Sequence, residues 1–139
     1  MRFEETIHID LSPESIFLIY KDVNNWSVWD PEVKDSFIAG TFEAGSEGYI
    51  KPKSGPKNKL IFTEVTQNKS FTAKTKLPFC ELYFEHHLTK KHEGTEVLHT
   101  IVFKGALASL WGGLLGNKLA SEQAKSMAFL KEYLEGTSN

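Results

Sequence analysis

Two histidines are the residues best placed to do chemistry. Along Cys80–Lys90 the chain alternates, with Cys80, Leu82, Phe84, His86 and Leu88 in one set and Glu81, Tyr83, Glu85 and His87 in the other. Along Glu96–Lys104, the set Val97, His99, Ile101 and Phe103 is the more apolar and avoids both charged residues. Such alternation marks a strand with one face turned to a core. A hairpin about Lys91–Thr95, with Lys91 opposite Gly94, pairs Leu88 with Val97, Phe84 with Ile101 and Leu82 with Phe103. It also sets His86 directly opposite His99. Cross-strand neighbours on one face lie about 4.5–5.5 Å apart at Cβ. Two imidazoles in an apolar wall can hold a polar group of a ligand, or carry a proton. They can also be hydrogen-bonded wall residues and nothing more. If replacing either by phenylalanine raised stability and left binding untouched, the chemical role would be ruled out.

Little else in the chain is reactive. Two histidines fall short of the three protein ligands usual at catalytic zinc, and no inward carboxylate is clearly placed to complete a set. Neither a metal nor a cofactor is expected. Cys80 falls in the inward set and reads as a buried, inert thiol. No Gly-Lys-Ser/Thr phosphate cradle, His-Glu-x-x-His or Gly-x-Ser-x-Gly is present, which weighs against nucleotide, zinc-protease and serine-hydrolase chemistry.

The elements that must position this pair can be read in order. Phe3, Ile7, Ile9 and Leu11 alternate with polar residues and predict a first strand. Ser12-Pro13-Glu14 supplies a cap, a first-turn proline and a first-turn acid. A short helix with Ile16, Phe17, Ile19 and Tyr20 follows, then a second short turn bearing Trp26 and Trp29 that stops at Asp30-Pro31. The tryptophans read as packing anchors, with Trp29 also a candidate for the end wall of a cavity. Strands are expected at Val33–Ala39, Gly45–Lys51, Leu60–Val65, Phe71–Leu77 and the two arms of the hairpin, joined by turns short enough for antiparallel neighbours. Leu107–Leu134 contains no proline and predicts a long helix.

At 3.6 residues per turn, Ser109, Gly112, Gly113, Gly116, Ala120, Ala124, Met127 and Leu134 share one broad face of that helix. With this face toward the sheet, the small residues would leave a cavity at one end, and Met127, Leu130 and Leu134 would fill the other. Close packing or a kink at the glycines is the competing reading. Leu110, Trp111, Leu114 and Leu115 would line the interior if the helix bends. Otherwise they project outward as an apolar patch suited to a homodimer or a transient membrane contact. The loop lysines Lys51, Lys53, Lys57 and Lys59 read as solvated, with weak attraction to anionic lipid as the alternative.

Composition sets the outer bounds. The chain has 139 residues, net charge −2 and one cysteine. It is expected to be one domain, 1–139, without an internal disulfide and without the basic field that would invite nucleic acid. The start MRFEETIHID reads as no signal peptide, and no run approaches a membrane span, so stable membrane insertion is not expected and a cytoplasmic location is.

The order of elements resembles the START-like, or SRPBCC, superfamily with its helix-grip fold. The local wording resembles its polyketide cyclase/dehydrase and lipid-transport branch. Ile9–Glu14 with Ile16-Phe17, Trp26–Pro31, Gly45 and Gly48, Thr95–Gly105 and Leu110–Gly116 carry the likeness. It implies an α+β fold in which a curved seven-stranded antiparallel sheet wraps round the long C-terminal helix, with two short helices between strands 1 and 2. It also implies a hydrophobic cavity between sheet and helix that holds a small apolar or amphipathic ligand, and no universal catalytic residue. The expected lining is Leu82, Phe84, His86, His99, Ile101, Phe103, Ser109, Gly112, Gly113, Gly116 and Trp29. A non-enzymatic binder is the first reading. A polyketide cyclase or aromatase using His86 and His99 as acid–base is the alternative.

Overall fold

The computed structural model describes residues 1–137. Strand β1 (Arg2–Ile9) leads to helix α1 (Pro13–Lys21), which starts where expected because Ser12 Oγ accepts the Ser15 N–H at 3.2 Å. Ile16, Phe17 and Tyr20 form its buried stripe. A 3-10 helix, Val23–Val28, follows. Then come β2 (Val33–Ala39), β3 (Glu47–Pro52), β4 (Asn58–Thr66), β5 (Ser70–Leu77), β6 (Cys80–Lys91) and β7 (Gly94–Lys104). Helix α2 spans Ala108–Thr137. The expected element order and fold class are found.

The strands form one open antiparallel sheet in the order β1-β7-β6-β5-β4-β3-β2. Strands β1 and β2 therefore lie at opposite edges, and α1 with the 3-10 helix carries the chain across. Register shifts in the β2–β3 and β4–β5 ladders are places where strands bend and twist more strongly. Lys91 pairs with Gly94, and Leu88, His86, Phe84 and Leu82 face Val97, His99, Ile101 and Phe103 as the alternation requires. The third strand starts two residues later than expected. Gly45 instead closes a turn at φ +95°, its N–H donating to the Phe62 carbonyl at 2.7 Å.

Helix α2 lies along β1, β7 and β6. It packs differently at its two ends. Met127, Leu130 and Leu134 are buried in a large core with Ile9, Ile16, Tyr20, Trp26, Trp29, Phe62 and Phe71. Fully burying one such aliphatic side chain is worth about 1.5–3 kcal/mol. At the other end a smaller core holds Cys80, Leu82, Ile101 and Phe103, ringed by half-buried Phe3, Leu77, Phe84, Trp111, Leu115 and Leu119.

The expected face of α2 needs correcting here. Ser109 and Gly113 turn to solvent, and nothing lies near a Cβ built on Gly113. Gly112 and Gly116 do face the sheet, but they leave no open space. A Cβ on Gly112 would run into the Met1 side chain, and one on Gly116 into the Phe3 ring. These glycines let β1 approach closely, which is the competing reading stated above. The four residues of the expected patch also divide. Leu110 and Leu114 are exposed, while Trp111 and Leu115 turn into the smaller core.

Candidate functional site

The two histidines sit at the seam between the two cores. On β6, Leu82 and Phe84 belong to the smaller core and Leu88 to the larger, with His86 between them. On β7, Ile101 and Val97 flank His99 in the same way. The imidazole centroids are 4.4 Å apart and cross at 72°. His86 also stacks flat on Phe71, 3.9 Å away and 7° from parallel.

A third polar residue completes the group. Tyr20, on the buried stripe of α1, places its hydroxyl 2.7 Å from His99 Nε2. No pattern in the sequence joins a residue of the first helix to one 79 positions later; a tyrosine at an inward helical position was the only available sign. The Tyr20 ring packs on Phe71, His86 and Trp29 at 5.0, 5.5 and 6.1 Å. The alternation of β1 hides a fourth residue. Glu5 pairs with His99 across the ladder, on the same face, and is half-buried.

Burial sets the charge state. It depresses the His86 imidazole from 6.5 to about 3, with the backbone of Phe71 and Phe84 acting against it and His87 adding to it. Burial also holds His99 well below its ordinary value, with His86 and His87 adding in the same direction. The Tyr20 hydroxyl is pushed far above its usual range by burial. Near neutral pH the group is therefore two uncharged imidazoles and a protonated phenol. His86 Nδ1 donates to the Phe71 carbonyl at 3.3 Å, so in the neutral ring Nε2 carries the lone pair. Among the described residues no protein donor reaches it.

Two features set this stretch apart from the rest of the inner wall. Phe84 and His86 lie mid-strand on the inner face yet are only half-buried, whereas Leu82 and Leu88 beside them are buried. Opposite them α2 presents half-buried Leu119 and Gln123, the latter donating to the His99 carbonyl at 3.3 Å. Trp29 is buried, and its indole N–H has no partner, unlike that of Trp26, which donates to the Tyr20 carbonyl at 3.0 Å. An unmade hydrogen bond of this kind costs about 1–3 kcal/mol. Two hollows lie elsewhere, one around Phe37, Tyr49, Lys57 and Lys59 and one between Pro13-Glu14, Gln67–Ser70 and His87–Lys90. Neither is lined by a residue of α2 or by His86 or His99.

Asp30 ties the Trp29 loop to α2. Its carboxylate accepts the Ser126 hydroxyl at 2.6 Å and the Glu32 N–H at 3.0 Å, and burial raises its pKa. The described residues contain no cluster able to hold a metal, and none of their helices is long and apolar enough to cross a membrane.

Comparison with known proteins gives a consistent picture. Residues 1–135 match the family described as polyketide cyclase/dehydrase and lipid transport. No curated protein matches. Among solved structures, the Aha1 dimer from Colwellia psychrerythraea is similar at TM-score 0.72 and 18% identity, covering 97% of this chain and 96% of that one. Ara h 8.0201 gives 0.76 at 12% identity, covering 100% and 99%. The di-domain ARO/CYC StfQ from the steffimycin biosynthetic pathway gives 0.80 at 9% identity, covering 99% of this chain and 51% of that one.

Proposed function

This chain belongs to the polyketide cyclase/dehydrase and lipid-transport family, and from that premise we propose that it binds a small hydrophobic or amphipathic molecule between the sheet and α2. The observation that carries this reading is the seam itself: His86, half-buried at mid-sheet, with a free lone pair on Nε2. The apolar part of the guest rests on Leu82, Phe84, Ile101 and Phe103. Its polar end meets His86, His99 and the unpartnered Trp29 N–H. Because the two imidazoles, the Tyr20 phenol and the Trp29 indole are uncharged, the site favours an uncharged hydroxyl or carbonyl over a carboxylate. Access comes from movement of the N-terminal half of α2, where the core is thinner and three glycines weaken the helix.

A cyclase reading has the StfQ likeness in its support. Against it stands the basicity of the site, since an imidazole depressed to about 3 is a poor proton acceptor near neutral pH. Native mass spectrometry of freshly purified protein, followed by displacement of Nile red with a long-chain alcohol, tests the binding reading. The His86→Phe variant is expected to lose about tenfold in affinity for the alcohol and to keep its affinity for the matching alkane. Protein that carries nothing, takes up no dye and binds neither compound would overturn the proposal.

A further inference from the structure

Phe79 is 78% exposed, more than any other large apolar side chain among the described residues. It stands at the β5–β6 turn with φ +55°, a left-handed conformation unusual for an aromatic residue. The turn is held rigidly against the start of α2. The Leu107 N–H donates to the Phe79 carbonyl at 3.0 Å, and Trp111 Nε1–H donates to the Pro78 carbonyl at 2.9 Å. Leu107, Leu110, Trp111 and Leu114 then follow at the spacing of one helical stripe. Leu110 is 53% exposed and Leu114 66%. Three bulky apolar side chains thus jut from one end of the molecule.

Positive charge outweighs negative around them. No Asp or Glu occurs from Val65 to Cys80 or from Val97 to Ser121. Exposed Lys76 and Lys104 lie on the strands either side of Glu81, whose carboxylate is already engaged by Lys74 at 3.0 Å. Exposed Lys118, one turn beyond Leu114, has only a loose contact with Glu122 at 3.9 Å. An apolar tip rimmed by ammonium groups complements a surface of hydrocarbon beneath negative headgroups. A second copy of the chain is a poorer occupant, because a two-fold contact would bring the two lysine rims together.

We propose that this end of the molecule docks on an anionic lipid bilayer. Phe79, Leu110 and Leu114 seat at the boundary between headgroups and acyl chains, and Lys76, Lys104 and Lys118 face the phosphates. The proposal goes beyond the ligand-binding reading and rests on different residues, so either can fail without the other. Its test is co-sedimentation with phosphatidylcholine vesicles made with and without phosphatidylglycerol. The protein is expected to pellet only with the anionic vesicles, and less so as salt rises. Phe79→Asp and Leu114→Asp should each lower partitioning by about tenfold or more, and Lys76→Ala by about fivefold, with unchanged circular dichroism. No partitioning onto anionic vesicles would overturn the proposal, as would Phe79→Asp and Leu114→Asp variants that fold and still bind equally well. A dimer that Leu114→Asp splits, without vesicle binding, would assign this face to a second copy and overturn it too.

Discussion

The two halves of α2 do opposite work. The C-terminal half drives Met127, Leu130 and Leu134 into a core crowded with rings from α1, the 3-10 helix and the sheet. The N-terminal half brings Ala108, Trp111, Leu115 and Leu119 to a core with four buried members, presses two glycines onto Met1 and Phe3 and leaves two leucines in water. One end carries most of the buried apolar packing, and the other carries little. The histidines lie where the two regimes meet, so the proposed site would sit beside the less heavily packed end.

Substitutions can break or sharpen this contrast. Leu130→Ala should cost the most, about 2–5 kcal/mol, while Leu115→Ala should cost much less because its site is already half open. Chemical denaturation of both variants would show it, and equal losses would erase the distinction. Gly116→Ala comes next. The Phe3 ring it strikes is held edge-on against Phe103 at 6.2 Å, so a loss of about 1–2 kcal/mol is expected. Gly112→Ala strikes the flexible Met1 sulfur first, with Met1 Cβ and Cγ behind it, and should cost less than Gly116→Ala by the same denaturation.

The seam has its own signature in pH. Both imidazoles are depressed in the folded state, so their contribution to stability is fully present above the unfolded value of 6.5. It is lost as pH falls below that, for His86 down to about 3, because the unfolded chain binds the protons first. His86 should add about 1.4 kcal/mol per pH unit to the slope between those limits, and His99 acts in the same direction. Denaturant titrations of wild type against His86→Phe, taken between these pH values, isolate one of the two, since the Asp30 contribution cancels in the difference. The smallest effect is a gain. Gly113→Ala should stabilise by about 0.5–1 kcal/mol, read as a rise in melting temperature, because the added methyl meets nothing.

How much of this could be read from the chain alone differs between the same two regions. The hairpin register was legible because a period of two is unambiguous and a tight turn leaves one pairing, so His86 opposite His99 followed directly. Met127, Leu130 and Leu134 were legible because they form one apolar stripe in a polar helix. The first half of α2 was not. Leu110, Trp111, Leu114, Leu115 and Leu119 spread over half the circumference, which leaves open which part faces inward, and a glycine marks a missing side chain without saying which way it points. Only the arrival of Met1, and of Phe3 on β1, decides that Gly112 and Gly116 face inward and Gly113 outward. Tyr20 and Glu5 escaped for a related reason, since their partner is joined to them by folding and not by spacing.

The outermost strand β1 finds its partner only in β7, with Phe3 beside Ile101 and Ile9 beside Thr95. During synthesis the first strand must therefore wait, unpaired, until nearly the whole sheet has left the ribosome. Contacts of such long sequence separation close slowly, and an idle apolar edge is the part of a nascent chain most prone to stick to others. A chaperone that shields the first dozen residues should raise the yield of native protein more than one acting on the finished helix.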